Sequence, residues 1–213
     1  MRKTLRQLIS LTGILAIIAG ILRLTLLEPW VLPPEDGWLG ASVAPTLASG
    51  DLVLVLTRGE PGFGDLVRCV DPEYEDSWVV GRIAGLTGDT VEIVGHTLRV
   101  NGRRYDVSDA CHERRFTVKH PDSESELEMD CGRVDMGSGW HYRGTSRKVR
   151  PRNDKKKLVG AGRFFLISDN RDLHDDSRDF GTLPASDCTQ RIVFRLWGAG
   201  GWADGKHRLT PIR

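Results

Sequence analysis

The hydrophobic pattern predicts one long apolar helix at the N-terminus, followed by many short strands. Residues 8–22 contain no charged side chain, and apolar residues continue to position 27. At about 1.5 Å per helical residue, such a helix would span about 30 Å, the thickness of a bilayer core. The first seven residues are basic (Arg2, Lys3 and Arg6). We therefore predict a cytoplasmic tail at 1–7 and a transmembrane helix at 8–28, with the rest of the chain across the membrane.

A cleaved signal peptide is the alternative interpretation of the N-terminus. Such peptides also begin with basic residues and continue with an apolar core. The nearest small-residue pair is Gly40-Ala41, far from the end of the apolar run. This spacing favours an anchor that is retained.

Beyond residue 50, short apolar runs between glycine-rich turns predict a mostly β domain. Residues 90–94 and 97–100 predict a hairpin closed at Asn101-Gly102. Further apolar runs predict strands at 52–56, 64–67, 78–86, 164–167 and 191–197. We assign residues 29–102 and 163–213 to one β domain, and residues 103–162 to an inserted second lobe.

Charge patterning marks the insertion. Five acidic residues alternate with other side chains between positions 122 and 130, which puts them on one face of an extended strand. A basic run follows at 143–157. The two segments could pair across a hairpin, the basic run could contact anionic lipid, or both could form a solvated loop.

Composition excludes two classes of function. A net charge of +1 gives no signal for nucleic-acid binding. The four cysteines (Cys69, Cys111, Cys131 and Cys188) form no C-x-x-C pair, so we predict no zinc site. Their even number permits disulfides outside the cytoplasm.

The densest chemistry lies at residues 168–181, SDNRDLHDDSRDFG, directly after an apolar run. It holds five aspartates, two arginines and one histidine. So many charges in one loop fold only if they pair with each other or with backbone donors. A solvated turn is the plainer interpretation, and a calcium loop is another, although the arginines would compete for the carboxylates.

This stretch resembles the GDNRxxSxDSRxxGxVP motif of type I signal peptidases, membrane-anchored serine proteases that remove export signals. Two other blocks, residues 23–56 and 80–102, resemble the same family. Residues 23–33 (RLTLLEPWVLP) are similar to the junction between anchor and catalytic domain. Residues 42–47 (SVAPTL) are similar to the family's S-M-x-P-T-L, which places Ser42 on the nucleophile. Residues 81–102 are similar to the block that carries the general base.

The base position is the main departure from the family. The resemblance puts the catalytic lysine at Gly81, and glycine cannot accept a proton. His174 falls on the serine that contacts that lysine, so we expect His174 as a candidate base for Ser42. The alternatives are a base elsewhere, such as Lys119 or His96, and a protein that binds exported segments without cutting them. The residues that we expect to support the site are Arg82, Asp169, Arg171, Asp176, Ser177 and Arg178.

The resemblance implies a signal-peptidase-like β-sheet or barrel catalytic domain that cleaves signal peptides from exported preproteins. It implies small residues before the cut, no cofactor and no metal. It implies a single-pass protein of the bacterial cytoplasmic membrane, with its N-terminus inside and its catalytic domain extracytoplasmic, in contact with lipid. It also suggests that Cys111 and Cys131 close a loop in the second lobe, whereas Cys69 and Cys188 are buried thiols or a second bridge. Residues 33–41 are longer than the family's linker before the serine, and the added residues 35–38 are expected to form a loop at the membrane surface.

Overall fold

The computed structural model describes residues 13–15, 18, 20, 26–74, 76–151 and 153–213. Most of the predicted span at 8–28 lies outside these residues. The described positions from 13 to 20 are helical, and Leu27 and Glu28, at the end of the predicted span, begin a strand. Within the described part of the chain, no helix is long and apolar enough to cross a membrane.

The chain is mostly β, as predicted. Its strands are β1 (Leu27–Val31), β2 (Leu52–Leu56), β3 (Leu66–Val70), β4 (Trp78–Gly85), β5 (Thr90–Val94), β6 (Thr97–Val100), β7 (Arg103–Tyr105), β8 (Val107–Lys119), β9 (Glu126–Met136), β10 (Gly139–Thr145), β11 (Asn153–Leu158), β12 (Arg163–Ile167), β13 (Leu183–Pro184), β14 (Gln190–Trp197) and β15 (Thr210–Pro211). Helix α1 (Gly37–Ser42) and a 3-10 helix (Ala185–Cys188) complete the described elements.

The largest sheet has eight strands in the order β1-β2-β14-β3-β4-β12-β13, with β15 paired to β14. Strand β4 lies between β3 and β12 and is buried over almost its whole length. A side chain on β4 therefore faces protein on either side of the sheet, which is where the expected base position falls.

Two smaller sheets are built around the predicted insertion. Strands β8, β9 and β10 form one sheet, with β8 and β10 at its edges. Strands β7 and β11 join the predicted β5–β6 hairpin in a four-stranded sheet. The second lobe thus contributes strands to a sheet that begins before it, and its bounds at 103 and 162 stay a prediction.

Both pairs of cysteines are joined as disulfides. Cys69 of β3 bonds to Cys188 of the 3-10 helix, and both residues are fully buried. Cys111 of β8 bonds to Cys131 of β9, which is the pairing that the family resemblance suggested. The first bond fixes the 3-10 helix against β3 of the large sheet, and the second joins two neighbouring strands of the small one.

The acidic face of the insertion is paired in part with basic side chains. Asp130 accepts one hydrogen bond from Arg147 of the basic run at 2.6 Å, and Arg115 of β8 lies 3.0 Å from Glu128. Of the acids in the pattern, Glu126 and Glu128 are exposed on β9 and Asp130 is half-buried. The hairpin interpretation is supported at these contacts.

Candidate active site

Ser42 ends the short helix α1. Asp36 caps this helix, because its carboxylate accepts a hydrogen bond from the Leu39 amide at 2.9 Å. The helix begins at Gly37, so the expected loop at 35–38 was wrong for residues 37 and 38. Ser42 is fully buried, and its hydroxyl donates to the Leu39 carbonyl at 2.9 Å. In this conformation the hydroxyl faces its own helix instead of a cleft.

Asn170, from the dense polar motif, holds the serine segment in place. Its backbone amide donates to the Ser42 carbonyl at 2.9 Å, and its side-chain amide donates to the Ala41 carbonyl at 3.0 Å. The Asn170 side-chain oxygen accepts from the amides of Asp172 and Leu173. One buried asparagine thus joins the serine segment to a loop that lies 129 residues further along the chain from Ala41.

Asp169 connects all three blocks of the family resemblance. Arg82 of β4 donates to both of its oxygens, from Nε at 2.7 Å and from Nη2 at 3.1 Å. The Thr46 hydroxyl donates to Asp169 Oδ2. The side chains of Arg82 and Asp169 are 1% and 0% exposed, so each charge is stabilised by the other instead of by water.

A second ion pair stabilises the motif from within. Arg178 donates to both oxygens of Asp176, and the Ser168 amide adds a bond of 2.7 Å. Burial alone would raise the pKa of Asp176, but the charge and hydrogen bonds of Arg178 outweigh it and hold that pKa well below its usual range. The carboxylate of Asp176 therefore stays ionised and stabilises the loop.

Arg171 and Ser177 complete the expected support. Arg171 is buried, forms no ion pair with a carboxylate of the described residues and donates to the Ser168 carbonyl. Burial, together with repulsion from Arg178 and Arg143, lowers its pKa to about 9. The Ser177 hydroxyl accepts from the Leu166 amide at 2.8 Å, which fixes the end of the motif to β12. All six expected support residues lie in or beside this network.

His174, the expected base, contacts Asp179 of the same motif. Its Nδ1 is 2.7 Å from Asp179 Oδ2, and its side chain is 20% exposed. Its ring nitrogens form no hydrogen bond with Ser42 within the described residues. Ligand atoms of His174, Asp176 and Asp179 lie within 4.8 Å of one another, but Arg178 already occupies Asp176. The pairing of His174 with Ser42 stays a prediction.

The base position itself is closed by the neighbouring strand. A Cβ atom on Gly81 would lie 3.1 Å from the Leu166 Cβ and 3.4 Å from the Ile167 carbonyl oxygen. Contacts this short require the neighbour to move by a few tenths of an ångström. Leu166 of β12 therefore packs into part of the space that a side chain at position 81 would need.

The other two candidate bases are His96 and Lys119. His96 Nε2 is 2.9 Å from Asp172 Oδ1, in a pair at the side of the motif. Lys119 is exposed at the end of β8 and lines a cleft together with Gly40 and Ala41. Neither side chain forms a hydrogen bond with Ser42 among the described residues.

Sequence reasoning missed His141, a buried histidine on β10. Its Nε2 has no hydrogen-bond partner in the described structure and lies 3.7 Å from Asp169 Oδ1. Burial lowers the pKa of His141 well below its usual value, and the charges of Arg82, Arg171 and Arg143 lower it further. The sequence gives no signal for it, because a histidine between Trp140 and Tyr142 looks like an ordinary strand residue.

Asp175 has a perturbed carboxyl group near the start of α1. Burial raises its pKa to about 6, and repulsion from Asp71, Asp179, Asp176 and Asp36 adds to the effect. Asp36 is the N-cap of the helix that ends at Ser42. Acidic groups from three separate segments thus approach one another beside the serine helix.

A mostly β domain in which an Asp-Asn-Arg loop holds a buried serine resembles the catalytic domain of a β-rich serine peptidase. Residues 5–197 match the family described as signal peptidase, peptidase S26, and the chain belongs to this family. Signal peptidase IB of Staphylococcus aureus (strain Mu50) is 26% identical over 217 residues, covering 99% of this chain and 97% of the relative. Signal peptidase I of Streptococcus pneumoniae serotype 4 is 24% identical over 192 residues, covering 87% and 91%. The resemblance found in the sequence is thereby confirmed.

Proposed function

We propose that the protein is a serine endopeptidase of the signal peptidase I type, which cleaves signal peptides from exported preproteins. Ser42 is the nucleophile. The observation that carries this proposal is the double hydrogen bond from Asn170 to the carbonyls of Ala41 and Ser42. It keeps the serine segment in a fixed position against the motif, as a nucleophile requires.

Family membership and the relatives' names support the same reaction. Proteins named signal peptidase match this chain over most of their length. The ion pairs Arg82–Asp169 and Arg178–Asp176 are buried here although no reacting group needs them as acids or bases. A chain that retains two costly buried pairs around one serine is organised to hold that serine.

Proton transfer requires a change from the present conformation. The Ser42 hydroxyl must leave the Leu39 carbonyl, and His174 Nε2 must come within hydrogen-bond distance of it, while Nδ1 can keep its bond to Asp179. His174 then accepts the Ser42 proton, while the hydroxyl oxygen attacks the scissile carbonyl carbon. The protonated imidazole returns that proton to the leaving amine, and water hydrolyses the acyl-enzyme.

The preprotein and the membrane are the expected partners. We propose that the chain is anchored in the bacterial cytoplasmic membrane by the apolar segment that begins at residue 8 and ends before strand β1, with the β domain on the outer face. Substrates carry small residues before the cut, because shallow apolar pockets select against larger side chains. No nucleic acid, metal or cofactor takes part.

A second candidate function is binding of exported segments without cleavage. The packing of Leu166 against Gly81, together with the hydrogen bond from Ser42 to Leu39, favours it. In this conformation the serine has no proton acceptor beyond its own helix among the described residues. The two candidates share the substrate and differ only in turnover.

The test uses the full-chain protein in lipid vesicles and a synthetic preprotein peptide with a basic start, an apolar core and an Ala-x-Ala site. Mass spectrometry measures cleavage. We expect Ser42→Ala to lower kcat/KM by at least about 10³-fold and His174→Ala by about 10² to 10⁴-fold. Ser186→Ala is the matched control, because Ser186 is exposed and bonds only to its neighbour Asp187.

Three outcomes contradict parts of the proposal. Cleavage that survives Ser42→Ala overturns the nucleophile. Cleavage lost on Ser42→Ala but kept on His174→Ala overturns the pair, and loss on His96→Ala or Lys119→Ala then identifies the base. A wild-type protein that binds the peptide but never cleaves it establishes the binding function instead.

A further inference from the structure

The two disulfides differ in how closely a solute can approach them. Cys69 and Cys188 are both 0% exposed and lie inside a cluster of buried hydrophobic side chains. Cys111 and Cys131 instead line a cleft of about 1190 Å³ between helix α1 and strand β8. Cys111 is 7% exposed, and Cys131 is half-buried. A small thiol can therefore reach the second bond through the cleft, whereas the first bond is enclosed by the core.

The pairing of β8 with β9 is interrupted beside the second disulfide. It stops at Ala110 and resumes at Arg115, so the four residues 111–114 of β8 lie opposite the single residue Cys131 of β9. Such a bulge leaves part of a strand without regular pairing. The bond from Cys111 to Cys131 links the two strands where this pairing is absent. Breaking the bond would therefore free the bulge from β9.

Cys131 lies next to the backbone that holds the serine segment. In the pairing of β9 with β10, Cys131 is opposite Gly144. The Gly144 amide donates to the Asp169 carbonyl, and the Gly144 carbonyl accepts from the Arg171 amide, both at 2.9 Å. Asn170, which fixes the serine segment, lies between these two residues of the motif. A single residue of β10 thus separates the disulfide from the motif.

The packing at Gly144 connects β8 to the same place. A Cβ atom on Gly144 would lie 2.8 Å from Phe116 Cζ of β8 and 3.4 Å from the Ala44 carbonyl oxygen. Strands β8 and β10 and the serine segment therefore meet at Gly144 without spare room. Because protein interiors are close-packed and transmit strain, a shift of β8 against β9 and β10 would displace Gly144 or its neighbours.

We propose that Cys111–Cys131 is a redox-sensitive site, at which a dithiol that enters the cleft opens the disulfide and lowers the cleavage activity assigned to Ser42. The inference rests on the proposed function, since it concerns the regulation of the same serine. A thiol–disulfide change acts on function when it alters the packing of an element that the site depends on. Here that element is the junction of β8, β9 and β10 at Gly144.

The reaction is thiol–disulfide exchange in two steps. A thiolate of the dithiol attacks Sγ of Cys131, the more exposed residue of the pair, and forms a mixed disulfide. The bond to Cys111 breaks, and Cys111 leaves as a thiolate that takes up a proton. The second thiolate of the dithiol then attacks the dithiol's own sulfur in the mixed disulfide and releases Cys131, which is also protonated. The cysteine pair gains two electrons and two protons, and the dithiol is oxidised to a disulfide.

The first measurement asks which disulfide opens. Full-chain protein in lipid vesicles is equilibrated in buffers with an increasing ratio of reduced to oxidised dithiothreitol. Free thiols are trapped with N-ethylmaleimide and located by mass spectrometry. We expect Cys111 and Cys131 to be half reduced at a ratio about tenfold or more below the ratio needed for Cys69 and Cys188, because accessible disulfides are the labile ones.

The second measurement asks what the opening does. At a ratio that opens the Cys111–Cys131 bond and leaves the other intact, we expect kcat for the synthetic preprotein peptide to fall by about 10- to 100-fold. Amide hydrogen exchange at Gly144 and Asn170 should become faster by about tenfold or more. Reoxidation should restore both values. The double variant Cys111→Ser, Cys131→Ser is the matched control, and its cleavage rate should be low and equal with and without dithiothreitol.

The failures of the two proposals are distinguishable. Reduction of both disulfides at the same ratio overturns the redox-sensitive site. Selective reduction that leaves cleavage unchanged also overturns it, and the peptidase function then stands. A double variant whose cleavage still falls with dithiothreitol contradicts the assignment to this bond. Selective reduction with faster exchange at Gly144 and Asn170, in a protein that cleaves in neither redox state, supports the site and overturns the peptidase.

Discussion

The backbone amide of Asn170 donates a hydrogen bond to the carbonyl oxygen of Ser42 across 2.9 Å. Both residues are fully buried, so water cannot replace this bond. The same asparagine fixes Ala41 and organises its own loop through Asp172 and Leu173. The position of the serine segment therefore depends on a residue that cannot itself take part in proton transfer.

Loss of the Asn170 side chain should destabilise the fold and reduce cleavage together. Asn170→Ala removes one donated and two accepted hydrogen bonds in a buried setting, and we expect the free energy of unfolding to fall by about 2–3 kcal/mol. Urea denaturation at pH 7 measures it. Asn153→Ala is the control, because Asn153 is exposed and accepts a single bond from Gly95. An equal loss of unfolding free energy in the two variants would contradict the role of Asn170.

Breaking the Arg82–Asp169 pair should be among the most costly changes in the molecule. Arg82→Met leaves the Asp169 carboxylate buried without its cation, at a cost of about 3–5 kcal/mol. Arg115→Met breaks an ion pair with Glu128 whose side chains are 55% and 60% exposed, and should cost at most about 1 kcal/mol. Chemical denaturation compares the two. A cost below about 1 kcal/mol for Arg82→Met would refute the structural role of the pair.

Position 81 should resist even a methyl group. We expect Gly81→Ala to cost about 1–2 kcal/mol, because its Cβ would press on Leu166. Combining it with Leu166→Ala should cost less than the sum of the single variants, since the truncated side chain makes room. Gly205→Ala, where no atom lies within 4 Å of the added carbon, should change stability by less than about 0.5 kcal/mol. Strict additivity at positions 81 and 166 would show that they do not compete for space.

Stability should fall in mild acid because of His141. The pKa of His141 is lowered in the fold by burial and by three arginines, so the unfolded chain binds more protons below pH 6.5. Stability is therefore full above pH 6.5 and declines as the pH falls toward the folded pKa, by up to about 1.4 kcal/mol per pH unit. His141→Leu should flatten this slope, measured by thermal or urea denaturation between pH 7 and pH 5.

Asp175 has the opposite effect on the pH dependence of stability over the same pH range. Its pKa is raised to about 6, chiefly by burial, so the folded state binds more protons than the unfolded chain between about pH 4 and pH 6, and stability rises as the pH falls. The His141 comparison is therefore best made with Asp175→Asn in both chains. A slope that is the same with and without His141 in that background would disprove the assignment.

The sequence predicted the framework well because strands and turns leave local signals. The β5–β6 hairpin was visible from alternating residues, but its closure at Asn101-Gly102 was wrong: it turns at Gly95-His96, and Asn101-Gly102 joins β6 to β7. The burial of the motif followed from its paired charges. The family motif placed Arg82, Asp169, Asp176 and Arg178 in support of the site, but the pairing of Arg82 with Asp169 has no local signal.

What the sequence could not show are contacts made across distant strands. Leu166 meets Gly81 only because β12 pairs with β4, and Thr46 meets Asp169 only once both are folded. The helix at Ser42 was missed because six residues carry too little periodicity, although Asp36 is a recognisable N-cap. Burial of the Ser42 hydroxyl has no local signature at all.

Strand β14 is synthesised well after β2 and β3, yet it lies between them in the interior of the large sheet. Until it arrives, two strands that lie close together in the sequence have no partner on their facing sides, and each exposes unpaired backbone. Closing that gap requires contacts between regions far apart in the chain, which makes folding slow. A chain shortened before Gln190 would therefore be expected to aggregate, not to fold into a smaller working version of the protein.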